Sequence, residues 1–155
     1  MLSLNANVKI IDFGLSIMRR EDEKEVVQMA GSPHYISPEM MRMRPHSFPT
    51  DIWSMGVVLA ELAAQEDFTQ RDPLAAMYGV ARHGLLSPSL LPPSAHPEMV
   101  RFISSCLSVD PSDRSVVSVL SRHTFLSLRC GREHFQKQVC RCFVGRVLQD
   151  IGLDF

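Results

Sequence analysis

A mainly α-helical domain is what the sequence predicts, on three observations. A run from Ile52 to Ala64 is apolar on almost every side, which is the pattern of a helix in the middle of a core. After Pro97-Glu98, the residues Met99, Phe102, Ile103 and Cys106 stand at spacings that share one helix face. Beyond Leu128, Phe135, Val139, Phe143, Val147 and Ile151 recur every four residues, the pattern of an amphipathic helix. The composition allows a real core, with 45% apolar and 21% charged residues in a chain of 155.

The first element expected along the chain is the exception to helix. Val8 and Ile10 alternate around Lys9, so residues 7–11 read as a short strand or hairpin running into Asp12. An irregular connection follows, from a charged stretch around residues 19–25 to the proline-bearing block Gly31–Pro38. Thr50-Asp51 supplies a capping hydroxyl and an acid for the start of the apolar helix, which should run through Leu62. Asp72-Pro73 opens a helix to about His83, with Gly84 as its stop. Residues 85–97 carry four prolines and form a loop, and a short helix covers Ser115 to Arg122.

Charge and cysteines narrow the partners. The formal net charge is -1, from 16 basic and 17 acidic residues, so there is no basic field for nucleic acid or anionic lipid. Proteins and small molecules are the expected partners. The apolar run at 52–64 is too short for a bilayer and contains Glu61. Four cysteines without a secretory pattern fit a reduced, intracellular and cytoplasmic setting. Cys130, His134, Cys140 and Cys142 lack the paired spacing of a zinc site.

Four blocks in order carry a family resemblance. They are Val8-Lys9-Ile10-Ile11-Asp12-Phe13-Gly14, Gly31-Ser32-Pro33-His34-Tyr35-Ile36-Ser37-Pro38-Glu39, Asp51-Ile52-Trp53-Ser54-Met55-Gly56 followed by Leu59 and Glu61-Leu62, and Asp110-Pro111 with Arg114. Together they resemble the second half of the eukaryotic-type serine/threonine protein kinase domain, from the Asp-Phe-Gly segment onward, over roughly residues 1–128. The fold implied is the mainly α C-terminal lobe of that family, truncated before Asp12 and with its short strand or hairpin near the N-terminus. The domain division expected is a partial kinase domain over 1–129 and a helical extension over 130–155.

The resemblance implies a role for each block. Phosphoryl transfer needs a carboxylate to hold magnesium against phosphate oxygens, and Asp12 matches that ligand of Mg2+ and ATP. By itself an aspartate at a strand end is a turn or capping residue, and the other blocks favour the metal role. Phe13 would pack beside the carboxylate and Gly14 would free the backbone of the turn. Ser32 matches the hydroxyl at the wall of the acceptor site and favours a Ser/Thr substrate. Ser37 departs from the family's usual alanine. Glu39 and Arg114 imply a buried ion pair, Asp51 a carboxylate holding catalytic-loop backbone or else an ordinary first-turn acid, and Trp53 a core residue.

The glycine-rich loop, the strand lysine and the His-Arg-Asp loop with its catalytic base do not occur in these 155 residues. The family spacing puts all of them upstream of Met1, in a missing N-terminal kinase half. No catalytic base is therefore assigned. Two functions follow: part of a Ser/Thr kinase that transfers the ATP γ-phosphate to protein, inactive as this chain alone, or a non-catalytic module that binds substrates or another kinase. Between Ile17 and Gly31 there is no Ser, Thr or Tyr, and Glu21, Asp22, Glu23 and Glu25 hold permanent charge instead.

Overall fold

Prolines set the helix starts. Four of the α-helices begin on one: α1 (Pro38–Met41), α2 (Pro49–Ala64), α3 (Pro73–His83) and α4 (Pro97–Cys106). The missing N–H of proline costs nothing in a first turn, where that donor has no intrahelical acceptor. Two further α-helices, α5 (Val117–Leu120) and α6 (Arg132–Asp150), and 3-10 turns at Pro33–Tyr35, Phe68–Gln70 and Thr124–Leu128 complete the order. The computed structural model describes residues 1–3, 5, 7–18, 26–84 and 91–150. The charged run 19–25, residues 85–90 of the proline-bearing loop and Ile151 lie outside the described residues.

The described chain forms two units, Met1–Ser16 with Leu128–Phe155, and Ile17–Ser127. In the second unit the core gathers on α2. Trp53, Val57 and Ala60 of α2 pack with Phe68, Val80 of α3, and Ile103 and Leu107 at the end of α4. A second cluster joins Ile52 of α2 to Phe102 and Cys106 of α4 and Leu120 of α5. Trp53, Val57, Ile103 and Cys106 are wholly buried, each large apolar side chain among them gaining about 1.5–3 kcal/mol by leaving water. Gly56 makes this contact possible: a Cβ there would stand 2.7 Å from Cys106 Cβ and 2.9 Å from Leu107 Cδ2. Helices α2 and α4 touch through the missing side chain.

The structure corrects the expected surroundings of α2. Its apolar sides are not all buried, since Met55, Val58 and Leu62 are exposed while Trp53 and Val57 are not. Thr50 does not cap it; α2 starts one residue earlier, at Pro49, with no side-chain cap, and the Thr50 hydroxyl turns to Glu39. Its last turn continues to Ala64 and stops where Gln65 takes the left-handed conformation, φ 54°. By contrast α3 has the expected ends: the Asp72 carboxylate accepts from Ala75 N at 2.7 Å, and Gly84 closes the helix at φ 76°. The segment Gly31–Pro38, expected to be irregular, holds the 3-10 turn and leads into α1.

In the first unit the pairing near the N-terminus is, among the described residues, an isolated antiparallel bridge, Leu2 with Val8. Ser3 N–H donates to the Asn7 carbonyl and Lys9 N–H to the Met1 carbonyl, both at 2.9 Å. Val8 and Ile10 are 75% and 84% exposed, so their alternation has no covered face to extend the pairing. Helix α6 spans Arg132–Asp150. Arg132 Nη2 donates to Asn7 Oδ1 at 2.7 Å and to the Asn5 carbonyl at 3.3 Å. Of the tail's periodic residues, Phe135 is exposed and Val139 half-buried.

Candidate functional site

Along α2 the polar residues Thr50, Ser54 and Glu61 interrupt an apolar sequence at i, i+4 and i+11, a spacing that keeps them on one helix face. All three bond to the segment between Gly31 and Glu39. Thr50 Oγ1 donates to Glu39 Oε1 at 3.0 Å. Ser54 Oγ donates to the Tyr35 carbonyl at 2.9 Å. Tyr35 OH donates to Glu61 Oε2 at 3.0 Å, whose Oε1 accepts from Phe68 N at 2.8 Å. Burial and then the Glu61 contact push the Tyr35 phenol up to about 12, so it is a neutral donor across the physiological range.

The structure brings Glu39 and Arg114 together. Arg114 Nη1 and Nη2 reach the two Glu39 oxygens at 2.8 and 3.0 Å, with side chains 0% and 4% exposed. The remaining donors are used as well: Nη1 also reaches the Pro49 carbonyl at 2.7 Å, and Nε and Nη2 reach the Ser108 carbonyl at 3.1 Å. A bidentate pair with every donor engaged is the arrangement in which attraction can offset desolvation. Burial pushes the Glu39 carboxyl up, but the Arg114 hydrogen bond, a backbone bond and the Arg114 charge outweigh it and hold it below the ordinary range. Ser37, wholly buried, extends the network through a 3.5 Å contact to Thr50 Oγ1.

Trp53 lies against this pair, its ring centroid 5.2 Å from the Arg114 guanidinium carbon, within cation–π range. Its Nε1 is buried and has no hydrogen-bond partner among the described residues. Asp51 is exposed in the first turn of α2, and its carboxylate has no hydrogen-bond partner among the described residues. Ser32 is exposed. Its carbonyl accepts from Tyr35 N at 3.0 Å, which closes the 3-10 turn that follows it.

Asp12 belongs to the other unit. Its carboxylate is exposed, and Oδ1 accepts from Gly14 N at 3.3 Å, leaving oxygen lone pairs for a hard cation. Among the described residues no group of three acidic, histidine or cysteine side chains gathers to hold a metal. One carboxylate completed by phosphate oxygens is nonetheless a fitting magnesium ligand set. Two features of this turn stand beside the expectations. Phe13 is 67% exposed. The left-handed residue of the turn is Asp12 itself, φ 62°, and not Gly14. A Cβ on Gly14 would stand 3.3 Å from Asp12 Oδ1, so its place is one of close approach.

Sequence reasoning missed the α2 face. Thr50, Ser54 and Glu61 were visible as polar residues at helical spacing, but the Tyr35 carbonyl that Ser54 meets carries no side-chain signal.

A sequence model of the protein kinase domain matches residues 1–126. The probable serine/threonine-protein kinase mkcC of Dictyostelium discoideum is 35% identical over 152 residues, 97% of this chain and 17% of that protein. The probable serine/threonine-protein kinase mkcD of the same organism is 37% identical over 152 residues, 97% of this chain and 23% of that protein. Serine/threonine-protein kinase shk2 of Schizosaccharomyces pombe is 30% identical over 135 residues, 86% of this chain and 23% of its own length. The chain thus spans less than a quarter of the length of these curated relatives. The family match covers most of the chain, and these relatives carry the same class of name, so the chain belongs to the protein kinase family, as part of a serine/threonine kinase domain.

Proposed function

We propose that this chain supplies the acceptor side and one metal ligand of a kinase that transfers the ATP γ-phosphate to serine or threonine of a protein. The observation that carries the reading is the α2 face, which grips Tyr35 at both its carbonyl and its hydroxyl and holds Glu39 at the end of the same segment. Ser32, one turn before Tyr35, is left exposed with its backbone held. It is the wall of the acceptor site in this reading. Asp12 holds Mg2+, which when bound neutralises phosphate charge. Phe13 and Gly14 belong to the same turn. Glu39, Arg114, Trp53 and Asp51 are structural, the first three through the buried pair.

In this reading residues 1–129 are the kinase portion and 130–155 a helical extension. The family model ends at residue 126 whereas the match to mkcC runs over 152 residues, which supports a division near that point. The partners are a protein substrate and an N-terminal kinase half that supplies the phosphate loop, the lysine and the base. The 155 residues alone do not transfer phosphate, because phosphoryl transfer rests on several positioned groups and Asp12 is the one nucleotide-side group in this sequence.

The test uses magnesium-ATP and a serine peptide, with the chain alone and with the chain joined to a kinase N-terminal half. The joined protein is expected to phosphorylate the peptide and to lose activity on Asp12→Ala, while the chain alone stays silent. A joined protein that folds and binds ATP yet transfers nothing contradicts the kinase reading and favours a non-catalytic binding module. Turnover by the chain alone, abolished by Asp12→Ala, contradicts its inactivity.

A further inference from the structure

We propose that Ser54 is a positioning residue for the acceptor-side turn, fixing where residues 32–35 stand through the Tyr35 carbonyl. The inference rests on the reading of Ser32 as acceptor-site wall, but its physical basis is independent of catalysis. A serine inside a helix ordinarily bonds back to its own i-4 carbonyl, and Ser54 Oγ is 3.3 Å from the Thr50 carbonyl. Its shorter contact, 2.9 Å, leaves the helix for Tyr35 O. A part-buried carbonyl needs a donor, and no other donor to Tyr35 O occurs among the described residues. Ser54 is therefore what ties that carbonyl.

The tie reaches Ser32 through Tyr35. Tyr35 N–H donates to the Ser32 carbonyl at 3.0 Å, so Tyr35 is held from α2 at its carbonyl and holds Ser32 through its N–H, in the two peptide units that flank its Cα. Glu61, on the same α2 face, fixes the Tyr35 ring at 3.0 Å. Ring and carbonyl point to separate anchors, and only the carbonyl anchor acts on the backbone. Glu61 can orient the side chain without setting the turn. Ser54 sets the turn.

The experiment is residue-resolved amide hydrogen exchange of the 155-residue chain under native conditions, comparing wild type, Ser54→Ala and Ser54→Thr. Alanine is the best helix former, so the first variant keeps α2, and threonine restores the hydroxyl. Loss of one neutral hydrogen bond is expected to speed exchange of the Tyr35 amide about fivefold, through local opening. The Met41 and Arg42 amides, which bond to the Ser37 and Pro38 carbonyls, should keep their rates, and Ser54→Thr should return Tyr35 to the wild-type rate. An unchanged Tyr35 amide, or an equal rise across Tyr35, α1 and α4 that threonine does not reverse, overturns the proposal. Exchange reads the turn whether or not the chain takes part in phosphoryl transfer, so this failure leaves the kinase reading standing, and a failed activity assay leaves Ser54 standing.

Discussion

The segment from Ser32 to Met41 and the segment from Val8 to Met18 carry two of the family blocks, and they are held in opposite ways. In the first, Ile36, Ser37, Pro38, Glu39 and Met40 are buried, and α2 bonds to it at three points. In the second, Val8, Ile10, Ile11, Phe13, Leu15, Ile17 and Met18 are all exposed, and the Asp12 turn is closed by the Gly14 N–H to Asp12 contact and the Ser16 N–H to Phe13 carbonyl bond. The difference teaches where this chain stores its order. The Ser32–Met41 segment is held by residues the chain itself contains, whereas the apolar residues flanking Asp12 stay more than half exposed.

The sharpest way to break that contrast is at the buried pair. Arg114→Ala leaves Glu39 charged and unpaired in the interior, and is expected to cost about 3–5 kcal/mol in urea unfolding. A cost below about 1 kcal/mol would mean that the pair does not hold the segment. Next is Gly56→Ala, which places a methyl against Cys106 and Leu107 and should cost about 1–3 kcal/mol by overpacking the α2–α4 contact. An unchanged unfolding midpoint would show that the two helices are not in the close contact described.

A smaller effect follows from titration. The Glu39 carboxyl is held below its ordinary value of 4.5 in the fold, so the folded state binds the proton less well than the unfolded one. The stability it contributes is fully present above about pH 4.5 and is lost as the pH falls through its lower folded value. Glu39→Gln should flatten the acid limb of stability against pH, and an identical limb in the variant would remove Glu39 as its source. The smallest effect is expected at Asp12. Asn tolerates the left-handed backbone as Asp does, and the site is exposed, so Asp12→Asn should change unfolding stability by less than about 0.5 kcal/mol. A larger loss would show that the turn is built into the fold after all.

Much of the fold was legible, for local reasons. Prolines at 73 and 97, the Asp72 cap and the Gly84 stop are signals that act within one turn of chain, and α3 and α4 follow them. What failed depended on distant partners. The Thr50 hydroxyl had a capping position in the sequence, but Glu39 competes for it from eleven residues away. The exposure of Met55 and Leu62 depends on what packs on that side of α2, which apolar character alone does not reveal. The short α1 was hidden by a proline-bearing block that reads as a loop. Around Asp12, residue types pointed to a metal ligand, but the positive φ at Asp12 and the bare Phe13 ring are properties of backbone and surroundings.

Amide hydrogen exchange across the whole chain tests the central claim most directly, because it compares the two segments in one sample. The Met41, Arg42 and Arg44 amides, bonded to the Ser37, Pro38 and Glu39 carbonyls, are predicted to exchange well below the rate of an open chain. The amides of Ile10, Ile11, Leu15 and Ile17, for which no hydrogen-bond acceptor occurs among the described residues, are predicted to exchange at nearly that open-chain rate. Equal protection of the two segments, or slower exchange at residues 10–17 than at 41–44, would contradict the account.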